Sequence, residues 1–302
     1  MFSISKASKL VRNLPFGDKI VDIARRLVSD PGAYLPGHFY STIPSKREVH
    51  KRAGNTMLIQ CDVKLNDEEQ LCLLKEFAQC NKDNPVIEIT KKNNSRFYFN
   101  NYFFEHTDAI VLSCMLQKFK PNRIIEIGSG FSSALMLEVV DQCNFLNPEI
   151  TFIDPDTKRL DKLLYQNDKE NHMIIPKKLQ EVNPEIFNKL DRNDILFIDS
   201  SHVAKFDSDV LHIFFKILPK LKRGVIVHFH DIFKDFEYPK HWLLKGWYWN
   251  ECYILRAFLS FNTEWKIMFF SDYINKRYPK KVISLIPDFR FNHGGSIYIR
   301  RN

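Results

Sequence analysis

Three stretches of the 302-residue chain place acid–base and charge-bearing groups at spacings that suit chemistry on a small ligand. IIEIGSGFSS sets Glu126 just before the pair Gly128 and Gly130; DILFIDSSH ends in Asp199, Ser200 and His202; GVIVHFHD ends in His228, His230 and Asp231. A glycine pair after an apolar run lets the backbone approach a ligand that a side chain would exclude, and it aims the N–H groups of the next helix at that ligand. Histidine exchanges protons near neutral pH, so His202 and His230 are candidate bases, with Asp199 crowding the same edge and Asp231 as an orienting partner. Alternation along a strand sends His228 and His230 to one side.

The residues around the glycines separate the ligand classes. A phosphate-cradling loop needs Gly-Lys-Ser/Thr entering the helix, and FSSALM has no lysine there. A dinucleotide fingerprint wants a third glycine at position 133, which is Ser, and Glu126 would face a pyrophosphate unfavourably. The same carboxylate suits a ligand bearing an ammonium and a sulfonium centre. Asp154 ends TFID, 24 residues after Gly130, where a carboxylate can accept hydrogen bonds from two ribose hydroxyls. Asp156 fits a helix cap better. Gln180 in KKLQEV offers an amide to an adenine edge. Asn101, with Phe99 and Phe104 in RFYFNNYFFEH, can lie over such a pocket. Trp242 and Trp247, among the aromatics of KDFEYPKHWLLKGWYWNE, suit recognition of a sugar or nucleotide.

These groups need elements to carry them. From residue 96 onward, helix-like and strand-like segments alternate, which predicts βαβ units and a mostly parallel sheet. RIIEI, TFID, HMII, DILFID and GVIVHFHD are five successive strands, and EWKIMFFS and GGSIYIRR two late ones. HTDAIVLSCMLQKF, FSSALMLEVV, DSDVLHIFFKIL and NECYILRAFLSF are helices. Residues 1–95 differ: helical spacing over 18–29 and 66–80, separated by DPGAYLPGHFYSTIPS, predicts a helical and irregular extension before a domain at 96–302. The first of these helices, with basic residues upstream, fits a surface helix packing on its own domain better than a membrane anchor.

Bulk properties narrow the class. No run approaches the ~18 apolar residues of a membrane helix and the start lacks a signal-peptide core, so the expected address is the cytoplasm. Six cysteines without a C-x-x-C pair point to reduced thiols rather than a zinc knuckle or disulfide framework. A formal charge of +8 favours anionic partners, but the basic residues are scattered, and no N/D-P-P-Y-type motif follows the fourth strand, which argues against nucleic acid.

EIGSGFS, the acidic end of TFIDPD, and DILFIDSSHV followed by GVIVHFHDIF resemble the class I S-adenosylmethionine-dependent methyltransferases over residues 97–302. NNYFFEHTDAIVL, FIDSSH, HFHDI, WNECYILRAFL and GGSIYIRR are similar to a bacterial subgroup connected with O-methylation of surface polysaccharides and other small molecules; Ser132 departs from it, where many members have a third glycine. The resemblance implies a Rossmann-like α/β fold: a seven-stranded, mostly parallel sheet with an antiparallel last strand and helices on both faces. It implies S-adenosylmethionine as cofactor, held by Glu126, Gly128, Ser129, Gly130, Phe131, Ser132, Asp154, Gln180 and Asp199. The acceptor would be a small molecule or saccharide, including phosphate-bearing ones. A divalent metal is not expected, because the positions matching the metal ligands of catechol-type enzymes are Asp199, His230 and Asp231, and magnesium prefers an all-oxygen shell. Two alternatives stand beside this: a nucleic-acid methyltransferase or binder, and a non-catalytic partner that keeps the fold.

Overall fold

The computed structural model describes residues 19–20, 34–54, 62–83, 87–92 and 95–302. The helix expected over 18–29, apart from Lys19 and Ile20, and Cys61 lie outside the described residues. Contacts divide the chain into two compact units, Met1–Asn55 with Lys240–Tyr248, and Thr56–Pro239 with Trp249–Asn302. In the smaller unit, helix Lys46–Arg52 starts at Ser45, whose hydroxyl accepts from Glu48 N while Glu48 reaches back to Ser45 N.

The larger unit is built on seven strands: β1 (Arg123–Ile127), β2 (Glu149–Ile153), β3 (Met173–Ile175), β4 (Ile195–Ile198), β5 (Ile226–Phe229), β6 (Trp265–Phe270) and β7 (Ile297–Arg301). Their order is β3-β2-β1-β4-β5-β7-β6. Central strands are covered on both faces, so β4 and β5 are buried at every position, and this is why β4 is an unbroken apolar run and β5 is interrupted only by the buried His228. β1 pairs in parallel with both β2 and β4. The chain leaves β1 toward β2 and β3, then crosses back to build β4 and β5 on the other side. The loops after β1 and β4 therefore part in opposite directions and leave a crevice at the carboxyl ends of these strands. β7 runs antiparallel to both β5 and β6, as expected of the last strand.

Helices α1 (Asp67–Cys80), α2 (His106–Phe119), α3 (Phe131–Gln142) and α4 (Glu251–Leu259) surround the sheet. α2 is buried from Thr107 to Leu116, packed against α1 and α3. α1 also closes the exposed edge of β6. Asn66 Nδ2 donates to Ile267 O at 3.1 Å, and Phe270 N donates to Gln70 Oε1 at 2.7 Å. Side chains thus satisfy backbone groups that an open edge would leave free. One helix differs from expectation: DSDVLHIFFKIL forms an α-turn, Asp209–His212, that widens into a π-turn over Ile213–Ile217. Ser208 Oγ caps its start by accepting from Leu211 N, and Pro219, which has no N–H, lies just past its end.

Candidate active site

The glycine loop is dictated by what stands behind it. Gly128 has φ +79°, and a Cβ there would lie 1.9 Å from the Asp199 carbonyl oxygen, so the β1 loop can approach the β4 loop only as glycine. Asp154 braces the loop from the β2 end: its Oδ2 accepts from Ser129 N at 2.8 Å and Ser129 Oγ at 3.0 Å, and its Oδ1 accepts from Asp156 N at 2.8 Å.

Glu126 sits deeper than the sequence suggests. It is fully buried beneath the loop, and its two oxygens accept the hydroxyls of Ser132 and Ser133. Burial, only partly offset by these hydroxyls, pushes its carboxyl up to about 8. It borders neither of the cavities that flank the loop. At neutral pH it is an uncharged strut between β1 and α3 rather than a surface charge.

A cavity of about 460 Å³ lies on one side of the strand ends, bounded by Gly128, Asp154, Pro155, Leu179, Gln180 and Asp199. Gln180 Nε2 donates to the Asp207 carbonyl, which fixes the amide at the rim. A second cavity of about 330 Å³ lies on the other side, bounded by Ser129, Gly130, Phe131 and Ser132 below and by His202, His230, Asp231 and Trp249 above. Asp199 borders both.

The reaction-edge residues expected from the sequence do come together. His202 has φ +59° and is buried. Its Nδ1 lies 2.9 Å from Glu251 Oε2, and its Nε2 faces Asp199 Oδ1 at 3.3 Å and Asp231 Oδ2 at 3.5 Å. Burial opposes charge on this ring, but Asp199, Glu251 and Asp231 outweigh it and hold the imidazole well above its ordinary range. Burial alone would raise Asp199; the hydrogen bond from His202 and the charge of His230 bring it down to about 2. Asp231 is raised by burial, which the two histidines offset only in part. His230 is raised by Asp231, Asp199 and Asp108 against the effect of burial; its Nε2 lies 3.7 Å from Asp231 Oδ1, and its Nδ1 is buried without a partner.

His228 and His230 do share a side, with ring centroids 5.9 Å apart, but their surroundings differ. His228 stacks on Phe197 at 3.7 Å, its Nε2 meets Ser296 Oγ at 2.9 Å, and burial drives its proton affinity well down. It is a neutral core residue.

Asn101 is buried and spends its amide on its own turn. Its Nδ2 donates to Tyr98 O and Phe104 O, and its Oδ1 accepts from Phe103 N and Phe104 N, which holds Phe103 and Phe104 at the second cavity. Phe99 instead stacks on His106 at 4.7 Å. Trp242 and Trp247 belong to the smaller unit, where their rings meet at 5.4 Å.

Sequence reasoning missed Arg159 and Glu251, and had Trp249 only as one of the aromatics of KDFEYPKHWLLKGWYWNE. Trp249 lies against His202 at 4.6 Å. Arg159 borders the second cavity with its guanidinium 4.0 Å over Phe103. Glu251 bonds His202 from α4. The only signal for Glu251 was an acid in the apolar stretch WNECYILRAFL, which spacing alone does not connect to DSSH.

The ligand atoms of Asp199, His202 and Asp231 lie within 4.8 Å of one another, close enough to share a metal ion. This group has His202 where the sequence comparison with metal-dependent enzymes placed His230.

A family model described as "Methyltransferase domain" matches residues 125–232. A protein of Archaeoglobus fulgidus described as "Uncharacterized protein" is 35% identical over 172 residues, covering 54% of this chain and 76% of its own. Among solved structures, the SAH-bound methyltransferase PaMTH1 of Podospora anserina aligns with a TM-score of 0.42 and 14% identity over 87% of this chain and 99% of that one. A putative caffeoyl-CoA O-methyltransferase of Staphylococcus aureus aligns with a TM-score of 0.41 and 14% identity over 76% and 92%.

Proposed function

The chain belongs to the class I S-adenosylmethionine-dependent methyltransferase family and is an S-adenosylmethionine-dependent methyltransferase, and on that premise we propose that it methylates an oxygen of a small molecule or saccharide in the cytoplasm. One observation carries the reading: Asp199 borders both cavities, with Asp154 in the first and His202, His230 and Asp231 around the second. A donor spanning Asp199 has its adenosine between Asp154 and Gln180 and its sulfonium at the mouth of the second cavity. The acceptor then lies under Trp249, against the edge formed by His202 and Asp231.

Transfer is an in-line displacement: the methyl carbon leaves sulfur for the acceptor oxygen, and the hydroxyl proton must be taken up beside it. In the free chain three carboxylates around His202 favour its protonated form. A sulfonium beside Asp199 competes for that carboxylate and weakens the hold on the ring's proton, so His202 becomes a base in the donor complex. His230, which borders the same cavity, is the second group able to accept the proton.

The grouping of Asp199, His202 and Asp231 favours a second reading, in which they hold a divalent cation. Such an ion, when bound, would acidify an acceptor hydroxyl. The donor set of two carboxylates and one imidazole, with the second imidazole nitrogen already bonded to Glu251, fits an ion softer than magnesium.

The test is a transfer assay with radiolabelled donor against sugars, sugar phosphates and phenols, and against RNA and DNA, each with and without a chelator. Label in an ether linkage on a saccharide or small molecule supports the proposal. Label only in nucleic acid or on nitrogen overturns it, and loss with chelator selects the second reading.

A further inference from the structure

Glu251 opens α4 at a sequence distance of 49 residues from His202, yet its side chain is fully buried against the loop that carries Asp199 and His202. Its Oε2 lies 2.9 Å from His202 Nδ1, and its Oε1 accepts the Ser200 hydroxyl at 2.9 Å. Other groups hold the loop itself. Asn250 N and Glu251 N donate to His202 O at 3.0 and 3.2 Å, and the Asn250 amide bonds both Ala204 N and Ala204 O. The Glu251 carboxylate reaches the loop backbone only through the Ser200 hydroxyl, which accepts from His202 N at 3.0 Å, and beyond that it adds the bond to the ring. With Glu251 held against Nδ1, the ring is turned so that Nε2 faces Asp199 and Asp231 in the second cavity, and where the carboxylate oxygen accepts, the proton lies on Nδ1. A buried carboxylate with no Lys or Arg at hand is expensive, and here its partners are one imidazole and one hydroxyl.

We propose that Glu251 is the positioning residue that decides which nitrogen of His202 faces the acceptor cavity. The proposal rests on the reading of that cavity as the methyl-transfer site, so its test separates the two. Nitrogen-resolved NMR of the full chain labelled in histidine, with His202 assigned by the His202→Asn variant, reports the ring protons directly. The same samples are titrated with S-adenosylhomocysteine.

The expected result is a hydrogen-bonded, slowly exchanging Nδ1–H on His202 that is lost in Glu251→Ala and kept, less shifted, in Glu251→Gln, whose amide oxygen can still accept. Asn250→Ala, which loosens the loop without touching the ring, keeps the signal while lowering the melting temperature. Survival of the unchanged signal in Glu251→Ala, or equal loss in Asn250→Ala, overturns the proposal. Should Glu251→Ala not fold, an unshifted Nδ1–H in Glu251→Gln overturns it instead. Wild-type protein that shows the signal but binds no S-adenosylhomocysteine contradicts the methyl-transfer reading and leaves the ring assignment standing.

Discussion

Glu126 shows how far a residue's chemistry depends on where its strand ends. A carboxylate before a glycine turn suggests a charge offered to a cationic ligand. Buried at the end of β1 under Ser132 and Ser133, it is instead an acid pushed up to about 8. A folded-state value above the ordinary 4.5 means that the native chain binds this proton more tightly than the unfolded chain does. The stabilisation is full below the unfolded value and is lost as pH rises through the folded one. Between those limits the wild type should lose on the order of 1 kcal/mol per pH unit relative to a Glu126→Gln variant, which has no such proton. Thermal melts of both from pH 5 to 9 check this: the difference should grow in favour of Gln up to about pH 8 and then level off, while a pH-independent difference would contradict it. The orientation of Glu126 was not legible in the sequence. Its type and spacing named the residue, but only the packing of α3 onto β1 shows that two serine hydroxyls meet its oxygens.

At the scale of elements, the strands were legible because a parallel sheet covered on both faces needs strongly apolar runs: Ile124 and Ile125 precede Glu126, and the runs in TFID and DILFID end at Asp154 and Asp199. That sheet order puts Asp154 and Asp199 on either side of Gly128, as their spacing in the sequence led one to expect. The surroundings of His202 were less legible: Trp249 reaches it from the end of the aromatic segment and Glu251 from the start of α4, and no periodicity links elements so far apart. The edge of β6 was not legible either. There Gln70, fully buried, accepts from Phe270 N. Gln70→Ala strands that N–H, and it should cost about 1–3 kcal/mol in chemical denaturation. An unchanged midpoint would show that α1 covers the edge by packing alone.

Across the whole molecule, the formal charge of +8 is not gathered at the strand ends, where Asp154, Asp199, Asp231 and Glu251 meet two histidines. The proposed site is thus rich in carboxylates, with histidines beside them, inside a chain of net positive charge. No helix among the described residues is long and apolar enough to cross a membrane. Calorimetric titration of the purified chain with S-adenosylmethionine and S-adenosylhomocysteine tests the central claim most directly. Both should bind at one site with affinities tighter than about 1 mM, weakened more than about tenfold by Asp154→Ala and abolished by Gly128→Ala, whose Cβ would strike the Asp199 carbonyl. Absence of binding by the folded wild type, or binding indifferent to both substitutions, would contradict the account.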